Sequence, residues 1–523
     1  MRLVYLALFL AGFAATACAA ETIYDVRDFG AKGDGAILDT AAIQSAIDTC
    51  SLKGGGTVRV SPGRFLTGGL ILKSHVRLYL DEGAVLLGSK LLSDYPVCIP
   101  KYRSYTDNYC ERSLIYAENA EHCAVAGSGT IDGQGAGFDG PYKVRPYMIR
   151  MVSCQDVVLE GVHLENGAMW TVHFMDCEQV RASGVTIRSR CNKNNDGFDI
   201  DSCRNVRVSD CDISSGDDAI VLKSTSPRPT ENITISNCII SSACNAIKTG
   251  TESNGGFKNV SIANCVVYDT HLSGVALELV DGGAMDGVVV SNITMRNTGN
   301  PIFVRLGNRA RPHIEGGPIP GFGTLKNVTI SHIDATAVNP TGCSITGLPD
   351  HPVENISLDH IRIRCPGGNN GKSVHVEVPE IPEKYPEYKM FGQLPAYGFF
   401  IRHARQVSLD HIDVGFEKDD LRPVLIAEDV DGLLLDQFQG MAANPAPGWM
   451  WFKDIRSARI SGTVLSGTTG TFLRVDGART ADLWVHDNAL GDTRRVADMG
   501  REVNRKALLM KENTRHRKVA AAR

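Results

Sequence analysis

The sequence predicts an all-β fold, a parallel β-helix, on three observations. A strand-like unit recurs from about residue 120, and its anchor residues Val157, Val180, Val206, Ile233, Val260 and Val288 are separated by 23, 26, 27, 27 and 28 residues. Within each copy, such as NVRVSDCDI, NITISNCII and NVSIANCVV, apolar residues alternate with polar ones, the period of a strand rather than a helix. The composition, with 53 glycines and 7% aromatic residues, suits short strands and tight turns. A coil of this length with several short strands cannot bury its apolar face alone and must stack on its neighbours. Leucine-rich spacing and a 3.6-residue period are both missing.

Residues 1–20 read as a signal peptide: Arg2, then the apolar run Leu3–Ala15, then small residues. The run is too short for a membrane span, and no later segment is apolar enough for one. Export to the periplasm or the extracellular space is expected, with Cys18 as an alternative lipid-anchor acceptor. A single β-helix domain is expected over 21–500, opened by a cap over 21–95. That cap holds an amphipathic helix, Asp39–Cys50, whose apolar face is Ile43, Ala46, Ile47 and Cys50. A helix here would cover the open end of the stack. Strands are expected at Thr57–Val60, Leu70–Leu72, Val76–Leu80 and Ala84–Leu87.

The repeat accounts for residues that would otherwise suggest other chemistry. Asn232, Asn259, Asn292, Asn327 and Asn355 match the glycosylation pattern, yet each stands where the chain turns into a strand, so a structural role is expected. Cys123, Cys154, Cys177 and Cys203 precede strands; Cys211, Cys238 and Cys265 sit inside them. These positions favour stacked, buried thiols over disulfides. No Cys/His spacing resembles a zinc site, and neither a metal nor a cofactor is expected.

Two stretches break the period. Residues 300–324 lengthen one interval to 40, and residues 366–398 lengthen another to 51. Long loops on a rigid scaffold are usual carriers of binding residues. The second, with Tyr385, Tyr388, Tyr397 and Phe391, suits a wall against sugar rings. Residues 501–523 carry eight Lys or Arg against Glu502 and Glu512, and read as a solvated basic tail or a short helix. The net charge of −5 gives no reason to expect a nucleic-acid partner, and a monomer is expected.

Asp196, Asp217 and Asp218 are the candidate site. They lie nearly one coil apart, and neighbouring coils stack at roughly 5 Å, so their carboxyls should converge. Carboxylates this close repel, which raises at least one pKa, as a general acid requires. Asp199, Asp201 and Asp212 read as turn residues.

NNDG at 194–197 and SGDDAI at 215–220 resemble the NTDG and GDD motifs of glycoside hydrolase family 28, which includes polygalacturonases and rhamnogalacturonan hydrolases. The opening DFGAKGDG is similar to the start of many pectin-active β-helix proteins. The resemblance covers roughly residues 22–430 and implies a right-handed helix, a polysaccharide or oligosaccharide substrate, and hydrolysis with inversion. It implies Asp218 as general acid, with Asp196 and Asp217 holding and deprotonating water across a gap of roughly 6.5–9.5 Å. Two family motifs are altered. Asn245 stands where the family has the histidine of GHG, and Val275–Glu278 replaces RIK, so Glu278 reverses the charge. Lys248, Arg305 and Arg309 are the candidate grips for a substrate carboxylate. Glu252, His271 and Glu278 are candidates for sugar hydroxyls. A lyase or a non-catalytic carbohydrate-binding helix are the alternatives.

Overall fold

The computed structural model describes residues 22–443 and 448–515. The expected signal peptide lies outside the described residues. The chain winds into a single stack of parallel strands, a parallel β-helix, as expected. The anchor residues form one unbroken column: Val157, Val180, Val206, Ile233, Val260, Val288, Val328, Ile356 and Val407 pair in succession. Both long insertions are therefore absorbed as loops without a slip of register. Any slip by one residue would turn the alternating apolar set out of the core.

The capping helix spans Thr40–Leu52 and buries Ile43, Ala46, Ile47 and Cys50, the expected face. Asp39 precedes it, but its carboxylate accepts from the backbone of Lys32 and Gly33 rather than capping the helix. The early strands are observed at Gly56–Val60, Leu70–Ile71, Val76–Leu80 and Ala84–Gly88. The described cysteines are free thiols, and Cys123, Cys154, Cys177 and Cys203 are buried. The stack also runs past residue 500. Arg505–Ala507 is a short 3-10 helix, and Leu508–Lys511 is a strand in register with Leu483–His486, so part of the segment read as a tail or short helix joins the stack. Among the described residues, no helix is long and apolar enough to cross a membrane.

The asparagines of the glycosylation-like pattern hold a left-handed turn conformation, with φ between 53° and 59°. Asn259 donates to Asn232 Oδ1 (2.8 Å) and Asn355 to Asn327 Oδ1 (2.7 Å), so the turns are laced from coil to coil. Asparagine tolerates this conformation better than most residues with a Cβ.

One face of the stack positions the site. In the strand Phe198–Asp201, Phe198 and Ile200 enter the core while Asp199 and Asp201 point to the outer face. The same outer register then carries Val221, Lys248, Ala276, Phe303, Ser344, Phe400, Ile426 and Trp451 on successive coils. The second long loop folds down on this face. Its Tyr388, Met390, Phe391 and Leu394 cover Ala276, Phe303, Phe400 and Ile426 in a separate apolar cluster.

Replacing Asn259 by alanine removes a ladder hydrogen bond and leaves a left-handed residue without its side-chain partner, so a loss of about 1–2 kcal/mol is expected. Replacing it by glycine should cost less, because glycine accepts the backbone conformation. Urea denaturation midpoints of the two variants measure the difference.

Candidate active site

Register sets the site. Phe198, Ile220, Ile247 and Val275 pair in succession, which stacks the residues two places before them: Asp196, Asp218, Asn245 and Ser273. Asp196 and Asp218 are thus the equivalent pair, one coil apart, and Asp217 stands beside them at the turn. Asp196 and Asp218 are almost fully buried; Asp217 is only partly so.

The hydrogen bonds and charges around the three aspartates differ. Asn245 donates to Asp218 Oδ1 from its side chain (2.8 Å) and its backbone (3.2 Å), and Lys248 Nζ lies 3.3 Å from Asp218 Oδ2. Burial opposes the charge on Asp218, but Lys248, Lys223 and Asn245 together hold its pKa below the ordinary carboxylate value. Asp217 moves the other way. Burial and the Asp218 charge raise it, against partial relief from Lys248. Asp196 is raised well above its ordinary value by burial and by Asp199 and Asp217, and its Oδ1 has no hydrogen-bond partner.

Asp199 and Asp201 are not turn residues; both are buried strand residues on this face. Lys223 answers Asp199 (3.6 Å), Asp196 (3.8 Å) and Glu252 (3.5 Å), and lies 4.6 Å over the Trp170 ring. Asp201 accepts from Thr225 Oγ1 (2.6 Å) and contacts His173 Nε2 (3.2 Å).

The other sequence candidates divide into those in the site and those outside it. Glu252 lies between Lys223 and Arg311 (3.2 Å). Despite burial, these cations bring it down to about 2. Glu278 is buried behind Lys248 at 3.6 Å, and burial pushes it well up, so it is a neutral backing group rather than a partner for sugar. Arg305 is fully buried. Its guanidinium donates to Gly347 O (3.1 Å) and Glu380 O (2.7 Å) and lies under Phe391. It anchors the second loop and does not face substrate, because that loop covers its outward-pointing strand position. His271 is exposed and meets Lys389 Nζ (3.2 Å). Arg309 is partly exposed, donates to Thr251 Oγ1 (3.2 Å) and lies 4.9 Å from the Tyr385 ring centroid.

Two residues of the second loop close over the pocket. Glu387 Oε1 is 3.2 Å from Lys248 Nζ and 3.3 Å from Asn245 Nδ2, and the Tyr385 hydroxyl is 3.3 Å from Lys248. Composition had marked the loop's tyrosines as a sugar wall, but nothing local in the sequence pairs Glu387 with Lys248 across 139 residues. Cys244 Sγ and one oxygen each of Asp217 and Asp218 lie within 4.8 Å of one another, the donor spacing of a metal site. Burial and the two carboxylates push the Cys244 thiol far up, however, so it stays protonated and is a poor ligand.

Residues 91–381, more than half of the chain, match the family described as Glycosyl hydrolases family 28. The chain belongs to this family. It is 37% identical over 227 residues to a probable polygalacturonase of Vitis vinifera, covering 40% of this chain and 46% of that protein. It is 28% identical over 258 residues to an exo-poly-alpha-D-galacturonosidase of Dickeya chrysanthemi, covering 39% of this chain and 42% of that one. The chain thus spans less than half the length of these relatives. The fold is similar to that of a family 28 exopolygalacturonase from Yersinia enterocolitica, with a TM-score of 0.64, 21% identity, and coverage of 79% of this chain and 78% of the other. It is also similar to that of an exopolygalacturonase from Thermotoga maritima, with a TM-score of 0.58, 24% identity, and coverage of 66% and 87%. The family match spans the aspartate motifs, Asn245 and Lys248, but Tyr385 and Glu387 lie beyond it.

Lys248→Met should move the acidic limb of the pH–rate profile to higher pH. Without the ammonium, Asp218 holds its proton more tightly and is lost as a base earlier as pH falls. A profile of kcat/KM against pH checks this, and an unmoved acidic limb would show that Asp218 does not set it.

Proposed function

We propose that this chain is an exported, monomeric, inverting glycosidase that cleaves pectic or related acidic polysaccharides or their oligosaccharides. The observation that carries the reading is the split within one aspartate cluster: burial and the Asp218 charge push Asp217 up, while Lys248, Lys223 and Asn245 pull Asp218 down beside it. Carboxyls pushed apart in this way are suited to acid and base roles. The reading reverses the role implied for Asp218 by sequence. Asp218, ionised by Lys248 and Asn245, is the base. Asp217, the more accessible of the three, donates its proton to the glycosidic oxygen.

The attacking water lies between Asp196 and Asp218. They are stacked one coil apart on the same column, which suits them to hold one water together. Asp218 takes a proton from that water as its oxygen attacks the anomeric carbon from the face opposite the leaving group. Asp217 protonates the departing oxygen. The sugar leaves with inverted configuration, and a proton exchange with solvent restores both carboxyls.

A lyase with lysine as its base would need that lysine neutral. Lys223 and Lys248 are instead driven well above the ordinary lysine value: their surrounding carboxylates outweigh burial, so both stay charged. That favours hydrolysis.

Specificity turns on which cation is free. Lys223, Lys248 and Arg311 are each ion-paired with protein carboxylates. Arg309 is at the same rim and, among the described residues, has no carboxylate partner. It is the guanidinium we assign to a substrate uronate, in place of the altered RIK motif. Tyr385 and Glu387 wall the pocket beside it, which supports attack at a chain end.

Asp217→Asn should lower kcat on galacturonan or rhamnogalacturonan fragments by about 10²–10⁴-fold, and Asp218→Asn similarly. Proton NMR of the first product should show the inverted anomer; retention, or full turnover by both variants, would remove the proposal. Arg309→Ala should raise KM for acidic oligosaccharides about tenfold or more with little change in kcat, as expected for a hydrogen-bonded charge pair worth about 1.5–3 kcal/mol.

A further inference from the structure

The outer face that carries the aspartates continues along the stack beyond the second loop. There it opens into a second cavity of about 610 Å³, whose lining includes Trp451, Arg402, Glu428 and Lys453. The loop stands between the aspartate site and this cavity. Its Tyr385 and Glu387 close over Lys248, while its residues 374–380 form one wall of the cavity. The opposite wall is the stack itself. Ile426 and Trp451 follow one another in one register column, and Arg402, Glu428 and Lys453 follow in the next outward column.

The cavity is built, not incidental. The Trp451 ring is held at its edge: Nε1 donates to Asp476 Oδ2 (2.7 Å), His375 packs against it at 5.7 Å and 74°, and it rests on the apolar cluster containing Ile426 and Phe400. The ring remains partly exposed and lines the cavity. Beneath the rim, Arg402, only 5% exposed, donates to Val378 O (2.6 Å) and Pro379 O (3.1 Å), which fixes the wall; its buried Nε has no partner. His403 bridges Glu380 (3.0 Å) and Asp429 (2.7 Å), and Arg479 pairs with Asp429 (2.9 Å).

Charge selects the ligand. Glu380, Asp429 and Asp454 are matched by Arg402, His403 and Arg479 in ion pairs. Among the described residues, the lining charges left without an ion pair are Glu377, Glu428 and Lys453, two acids against one base. A polyanion such as galacturonan or nucleic acid gains nothing here. A chain of hydroxyl-rich, uncharged rings fits. Trp451 offers a rigid apolar platform, Glu428 accepts from hydroxyls, and Lys453 donates to them. The cavity volume lies within the range of small-ligand sites, about 300–1,000 Å³. Coils also repeat every 4.7–4.9 Å or so, a spacing of the same order as one sugar ring, so successive rings could meet successive coils.

We propose that this cavity is a second carbohydrate site, for a neutral glycan segment, with Trp451 as the stacking platform and Glu428 and Lys453 as the hydroxyl partners. It is distinct from the aspartate site and does not depend on the activity assigned there.

Calorimetric titration of the full chain with galactotetraose, arabinotetraose and tetragalacturonate tests this. At least one of the two neutral probes should bind with a Kd of about 1 mM or tighter. Trp451→Ala should weaken that binding at least about tenfold, and Trp451→Phe, which keeps an aromatic ring, should retain most of it. Lys453→Met, a change at an exposed side chain that leaves the core untouched, should weaken it severalfold. Turnover of a short acidic substrate at the aspartates should be unchanged in all three variants. The proposal is overturned if neither neutral probe binds, if binding survives both Trp451→Ala and Lys453→Met, or if only tetragalacturonate binding depends on Trp451. The readout is binding, so a failed hydrolase assignment would leave this test intact.

Discussion

Coil-to-coil registry is the constraint on which everything else rests. Each coil satisfies its backbone hydrogen bonds with the coils before and after it, so a residue's height on the stack is fixed by the pairing of its strand. Asp196, Asp218, Asn245 and Ser273 form a column for no reason other than the pairing of Phe198, Ile220, Ile247 and Val275. The same rule keeps two long insertions from disturbing the site, because the strands on either side of each loop remain paired.

The site built on that registry is electrostatically crowded. Carboxylates stand on adjacent coils with few cations among them, and each of Lys223 and Lys248 is shared by several. Burial alone would neutralise most of these acids. Where the limited positive charge falls decides which stay ionised. Asp218 and Glu252 are held down by it; at Asp196, Asp199 and Glu278, which also face a lysine, burial and neighbouring acids outweigh it. Such an arrangement costs stability, since unpaired buried charge is expensive. Its use is to keep proton-bearing and proton-free carboxyls side by side in one small space.

The second loop organises the outer face. It buries an apolar strip of the sheet, locks itself with Arg305 and Arg402, covers Lys248 at one end and walls a concavity at the other. The altered RIK position fits this arrangement. Glu278 backs Lys248, and Arg309 at the loop rim is the guanidinium we propose for an acidic sugar.

The period of the repeat, the capping helix and the aspartate column were legible in the sequence, because each follows from local alternation and spacing. Asp199 and Asp201 were read as turn residues, although alternation within FDID, like that within IFVRL for Arg305, carries the signal of an outward strand position. What alternation cannot say is whether an outward position is open or covered. A loop reaching back from residues 378–391 buries Arg305 and brings Glu387 onto Lys248, and nothing in either segment encodes the other. The assignment of charge among the aspartates is decided at the same level. Sequence alone determined that Asp196, Asp217 and Asp218 would meet. Only the tertiary structure decided which of them keeps its proton, because that depends on where Lys223, Lys248 and Asn245 come to rest and how deeply each carboxyl is buried.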